Sequence, residues 1–276
     1  MPWHAQLSLD YRLDAQRTVL RHEHNGPLRI FKSLYPEGDA ICHNVIIHPP
    51  GGLVGGDVLD VRVHVGSGAH GLISTPGATR FYASDSLPTT QQVTLVLDAG
   101  ARLEWLPLEA IAYPGCQAHN SLSATLAEGA ELLAWDVTAL GLPTAGQAFD
   151  QGRFNQRLEI PGLWLEQARI DAADTRLLES PLGLGGQRCL GTLWLASGTP
   201  FSRERREQLL DGVRAVLDTA PASVQAGATC PNPQLLVVRA VAPLVEPLMA
   251  ALQQVWAALR PLAWGLDGTP PRIWRV

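Results

Sequence analysis

Lysine is nearly missing from this chain: Lys32 is the only one in 276 residues, so almost all of the positive charge rests on arginine. Arginine's planar fork suits ion pairs and protein interfaces, although genome base composition is the plainer account of the bias. The formal net charge is −5, with no basic footprint of the kind nucleic acid requires. Aromatic residues make up only 6% of the chain, which argues against an aromatic-lined sugar cleft. Cys42, Cys116, Cys189 and Cys230 are widely dispersed and form no Cys-x-x-Cys pair, so in a reducing compartment they are expected to be free thiols. No apolar run approaches membrane-spanning length, and the start, Met1-Pro-Trp-His, lacks a signal-peptide pattern. A cytoplasmic location without membrane attachment is therefore the expectation.

Familiar catalytic signatures are missing too. No Gly-Lys-Ser/Thr follows any glycine cluster, which excludes a Walker loop, and there is no Gly-x-Ser-x-Gly elbow. Gly66-Ser-Gly-Ala-His-Gly71 matches the dinucleotide fingerprint on paper, but Leu72-Ile-Ser-Thr-Pro-Gly77 runs into a strand and a turn instead of opening a helix beneath a pyrophosphate. Cys116-x-x-His119 is the only compact pair of soft ligands, and a lasting metal site needs three or four. The expectation is a chain that is not an enzyme and holds no permanent cofactor.

What is present is a 46% apolar chain long enough for one large β domain, taken here as residues 1–276. Its most distinctive stretch is His48-Pro-Pro-Gly-Gly-Leu-Val-Gly-Gly-Asp57. Two prolines and four glycines exclude an ordinary core element, leaving a wide turn closed by Asp57 or a lined passage or docking surface. Downstream, Gly68-Ala-His-Gly-Leu-Ile-Ser74, Gly100-Ala-Arg-Leu-Glu-Trp-Leu106 and Gly129-Ala-Glu-Leu-Leu-Ala-Trp135 each put a Gly-Ala turn between two apolar strands. Their glycines are offset by 32 and then 29 residues. A period of that size marks supersecondary coils that bury their apolar faces against their neighbours, so the fold class is mainly β, a β-helix-like stack of coils. A β-sandwich would show similar strand spacing.

From Ala5 to Phe31 the pattern reads as strands about a hairpin-like turn, with Asn25-Gly26-Pro27 as punctuation. Pro143 to Gly152 reads as a polar loop, the stretch of the chain expected to be most mobile. Phe154–Ile160, Leu163–Ile170, Thr175–Leu178, Cys189–Ala196 and Leu235–Val241 read as further strands. Two helices complete the C-terminal half, near 203–218 with Ser202 as cap and near 245–259 stopping at Pro261. The tail from Trp264 to Val276 is expected to pack on its own domain.

Several separated motifs occur in one order: Leu34-Tyr-Pro-Glu-Gly38, Cys42-His43, His48 to Asp57, Thr75-Pro-Gly-Ala-Thr-Arg-Phe-Tyr82 and Glu104-Trp-Leu-Pro-Leu-Glu-Ala-Ile111. Over residues 15–200 the chain resembles the urease accessory proteins called UreD or UreH. It departs at Pro107-Leu-Glu-Ala110, where that family usually has Pro-Gln-Glu-Thr, so no polar role is assigned to position 108.

The resemblance implies a β-helical stack carrying two helices. It also implies a maturation factor that binds apo-urease and acts with UreF and, through it, the GTPase UreG to deliver Ni²⁺. Asp57, Thr75, Thr79 and Asp136 would be polar wall groups of an internal route. Asp57, Glu109, Asp136 and Asp171 would supply a weak field that attracts the ion without trapping it. Each carboxylate also has an ordinary reading as a turn or surface group, which for Asp171 is the better account. The rival readings are a carbohydrate-active β-helix enzyme, which needs a carboxylate pair, and a binding module with no ion path.

Overall fold

The computed structural model describes residues 2–84 and 87–275, so the outermost residues of the expected domain, Met1 and Val276, lie outside the described residues. In chain order the strands are β1 (His4–Asp14), β2 (Arg17–Asn25), β3 (Arg29–Ile30), β4 (Ile41–Ile47), β5 (Gly52–Leu53), β6 (Val58–Val65) and β7 (His70–Ser74). There follow β8 (Thr79–Phe81), β9 (Thr89–Leu97), β10 (Arg102–Leu106), β11 (Ala110–Ala112), β12 (Cys116–Leu126) and β13 (Glu131–Leu142). The remainder are β14 (Gln147–Ala148), β15 (Gly152–Ile160), β16 (Trp164–Asp171), β17 (Cys189–Ser197), β18 (Gln225–Asn232) and β19 (Leu235–Ala242). Helices α1 (Thr175–Glu179), α2 (Arg203–Leu217) and α3 (Val245–Trp264) interrupt the second half.

The strands form a β-solenoid of about four turns. One sheet runs β16-β15-β12-β9-β6-β1-β2 and the other β18-β19-β17-β13-β10-β7-β4-β3, with β5, β8 and β11 as short third sides of successive coils. Gly68, Gly100 and Gly129, the glycines of the repeat, all have φ near +70°, a region open to glycine without a Cβ penalty. Two residues after each, His70, Arg102 and Glu131 stand in register across parallel β7, β10 and β13. The sequence period is thus the coil period.

Burial follows from this layering. In β6, Val61, Val63 and Val65 face the space between the sheets while Arg62 and His64 face out. The second sheet is covered on both sides, so β13 and β19 read as nearly continuous apolar runs instead of alternating ones. Leu133, Trp135, Leu193 and Leu236 pack away from the first sheet against Leu209 and Val213 of α2 and Leu248, Leu252, Val255, Trp256 and Leu259 of α3. The Ser202 hydroxyl caps α2 by accepting the Arg205 amide at 3.1 Å. The tail packs back as expected: Trp274 Nε1 donates to Ser74 Oγ at 2.9 Å and its ring meets Trp135 and Trp256.

Five local readings need correction. Thr175–Leu178 is helical, because the Asp174 carboxylate accepts the Leu177 amide at 3.0 Å and starts a turn. The hairpin turns at Ala15-Gln16, with Ala15 at φ 55°, while Asn25 ends β2 and Gly26-Pro27 only follows it. Strand β18 has exposed alternate positions and few apolar residues, and it escaped the pattern. The expected loop, Pro143 to Gly152, is exposed from Pro143 to Ala148 but not wholly irregular: Pro143–Ala145 is a 3₁₀ turn, β14 pairs with Gly141 and Leu142, and Phe149 is buried. Finally, α3 continues through Pro261 to Trp264, with Gly265 as its left-handed cap. So near the helix end the proline forgoes one amide bond, to Ala257, and Gly268 approaches that carbonyl so closely that a Cβ would lie 2.4 Å from it.

Candidate functional site

The glycine-rich loop closes on itself. The two oxygens of Asp57 accept main-chain amides, from Trp3 at 3.2 Å and from Val54 at 3.0 Å, and the residue is 2% exposed. The carboxylate expected to face a passage is instead the clamp of its own turn, because these two main-chain amides have no other acceptor among the described residues. Gly52 and Gly55 serve close packing: a Cβ at Gly52 would lie 2.3 Å from the Tyr82 ring, and one at Gly55 2.6 Å from Ser84 Oγ.

Beside this loop, between the two sheets, lies a cavity of about 230 Å³. Its polar lining includes His48, Thr75, Thr79 and Gln91, its apolar lining Val61 and Trp105. Thr75 also orders the turn, accepting the Leu108 amide at 2.8 Å. The Nε2 atom of His48 is buried without a hydrogen-bond partner among the described residues, and burial lowers the ring's pKa, which favours the neutral imidazole.

A row of polar groups leads from this cavity into the coil stack. Gln91, Asn120 and Gln156 are direct neighbours on parallel β9, β12 and β15 and belong to the side of the sheet that faces the core. Gln91 Nε2 donates to Asn120 Oδ1 at 3.1 Å, and Asn120 Nδ2 donates to Asp136 Oδ2 at 2.9 Å. Gln156 Nε2 donates to Asp136 Oδ1 at 2.5 Å, and the Thr138 hydroxyl lies 3.4 Å from the same oxygen. Asp136 is surrounded by protein yet keeps accessible surface. Desolvation raises its pKa to about 6 against the bonds from Asn120, Gln156 and Thr138, and the nearby Glu166 pushes the same way. Glu166 in turn accepts the Thr192 hydroxyl at 2.7 Å and Nε of Arg239, itself exposed, at 2.7 Å.

The six residues expected at the site therefore separate. Thr75 and Thr79 line the cavity, and Asp136 lies at the centre of the row that continues from it. Asp57 is the turn clamp. Asp171 is a surface partner of Arg153 at 2.7 Å. Glu109 lines a separate groove beside α3. Cys116 and His119 do not pair, since Cys116 is buried and His119 exposed, and burial pushes the Cys116 thiol up to about 12. No cluster of three His, Cys, Asp or Glu placed to hold a metal occurs among the described residues. Gln91, Asn120, Gln156 and Glu166 were not foreseen.

A family model described as UreD urease accessory protein matches residues 4–275. Over 276 residues and the whole of both chains, this chain is 60% identical to a urease accessory protein UreD of Albidiferax ferrireducens and 57% identical to one of a Polaromonas species. A urease accessory protein UreD of Methylibium petroleiphilum is 46% identical over 296 aligned residues, again covering both chains fully.

Proposed function

We propose that this chain, which belongs to the UreD urease accessory protein family and so has a role in urease maturation, binds apo-urease and UreF, with the GTPase UreG recruited through UreF, and passes nickel along the polar row between its sheets. The observation that carries the nickel route is the amide row Gln91, Asn120 and Gln156 converging on Asp136. An apolar filling at these core positions would avoid the desolvation that buried amides and a carboxylate incur, so their presence favours a role beyond stability.

The chemistry suits cargo better than storage. Amide oxygens and threonine hydroxyls are weak ligands for a divalent ion, and one carboxylate among them binds without completing a closed shell. Near neutral pH, a carboxyl with a pKa of about 6 can exchange its proton for a cation. His48 at the cavity and Glu166 beyond Asp136 supply the two ends, and Arg239 covers Glu166 until the ion displaces it.

The rival enzyme reading loses its carboxylate pair. Glu104 is fully engaged, by His70, Trp256 and Arg260, while Glu109 lies in a groove beside α3. A non-catalytic factor is the reading we adopt, and no helix among the described residues is long and apolar enough to cross a membrane. The test is urease produced with and without this chain, followed by co-purification with apo-urease and with UreF and by measurement of urease-bound nickel. Retained complexes and nickel that depends on the chain support the reading. Nickel content independent of the chain overturns it.

A further inference from the structure

Away from the polar row, the segment after β10 and the first turns of α3 enclose a groove of about 390 Å³. Leu108, Ile111, Met249 and Trp274 give it apolar walls. Two carboxylates, Glu109 and Glu246, share it, and the ion pairs among the described residues all use other acids. The α3 dipole accounts for Glu246, which sits in the first turn, but gives no reason for Glu109 on the segment between β10 and β11.

Neither carboxylate has a cation at ion-pair distance among the described residues, and Glu109 feels the charge of Glu246 more than that of Arg80. Partial burial raises the Glu109 pKa, its own main-chain amide lowers it, the Glu246 carboxylate raises it again and Arg80 lowers it least, with a net upward shift. The neighbouring Cys189 thiol is pushed up to about 12 by burial and by the same two carboxylates. Glu104, Glu131 and Glu166, by contrast, each have an arginine at ion-pair distance.

We propose that this groove docks a partner protein segment that presents an arginine or lysine between apolar side chains, its cation bridging Glu109 and Glu246 while its neighbours pack on Leu108, Met249 and Trp274. Apolar walls with two carboxylates that enter no ion pair among the described residues are the complement of such a segment, and the pair disfavours acidic partners as it favours basic ones. The proposal stands apart from the nickel route and does not depend on it.

The probe is a short peptide with both ends blocked, of sequence serine, leucine, arginine, leucine, serine, titrated into the full chain by calorimetry. The control peptide has citrulline, a neutral isostere, in place of arginine. Saturable binding should weaken by about tenfold or more with citrulline, and likewise in Glu246→Gln and in Glu109→Gln/Glu246→Gln. Glu246 is exposed, so the single variant loses no more than its small helix-dipole contribution and secures the result even if the double variant folds poorly. Three results overturn the proposal: no saturable binding, equal binding of both peptides, or binding indifferent to Glu246→Gln. A tight nickel site that disappears in Glu246→Gln would make the groove a cation site and overturn it as well.

Discussion

Arg260 Nη2 lies 3.2 Å from Glu104 Oε1, and both side chains are wholly excluded from solvent. The same guanidinium donates to Glu37 at 2.7 and 3.0 Å, while Glu104 also bonds His70 at 3.0 Å and Trp256 Nε1 at 2.7 Å. One arginine near the end of α3 thereby joins the helical layer to β10 and to the turn before β4. A buried pair of this kind is strongly destabilising when broken on one side, because the remaining charge is left without a partner. Arg260→Ala or Glu104→Ala should each cost about 3–5 kcal/mol in denaturant unfolding. The double change Arg260→Met/Glu104→Leu should cost less than the sum of the two, since neither partner is then stranded.

Acid should loosen the same contact. Burial pushes the Glu37 carboxyl up, but bonds from His43 and Arg260 outweigh it and hold the group at about 2, below its ordinary 4.5. A carboxylate whose pKa is depressed in the fold contributes stability above its unfolded value and loses it as pH falls through the folded one. Melting temperature should therefore drop between pH 4.5 and about 2, with a smaller drop in Glu37→Gln.

Asp57→Ala should leave the Trp3 and Val54 amides unpaired and lower stability by about 1–3 kcal/mol. The nickel delivered per recovered complex should stay at the wild-type level. A loss of nickel with an intact complex would return Asp57 to the route.

Asp136→Asn should behave in the opposite sense. The fold raises this carboxyl from 3.8 to about 6, so it favours the protonated form, and stability declines as pH rises across that interval. Removing the charge should stabilise the chain by on the order of 1 kcal/mol at pH 7 and have little effect near pH 4, as measured by thermal unfolding at the two pH values.

How much of this was legible beforehand depended on the range of the signal. Gly68, Gly100 and Gly129 announced the coils because each turn is local and its conformation demands glycine. The apolar face of α3, from Leu248 to Leu259, announced its packing for the same reason. Asp174 capping a single turn was too short to override the β-like look of Thr175–Leu178. The glycines around Asp57 suggested open space, but they admit the Tyr82 ring and Ser84. The polar row is a property of register: Gln91 and Asn120 are 29 residues apart, the same offset as Gly100 and Gly129. Extending the repeat from its turns to its inward positions would have exposed the two amides. Glu166, which reaches the row through Thr192, carries no such mark.

The most direct measurement is the nickel content of urease matured with Asp136→Asn, set beside recovery of the assembled complex and the melting temperature of the variant. A passage through the polar row predicts a several-fold fall in urease-bound nickel with the complex recovered in full and the chain no less stable than wild type. Wild-type nickel content in that same intact complex would contradict the route.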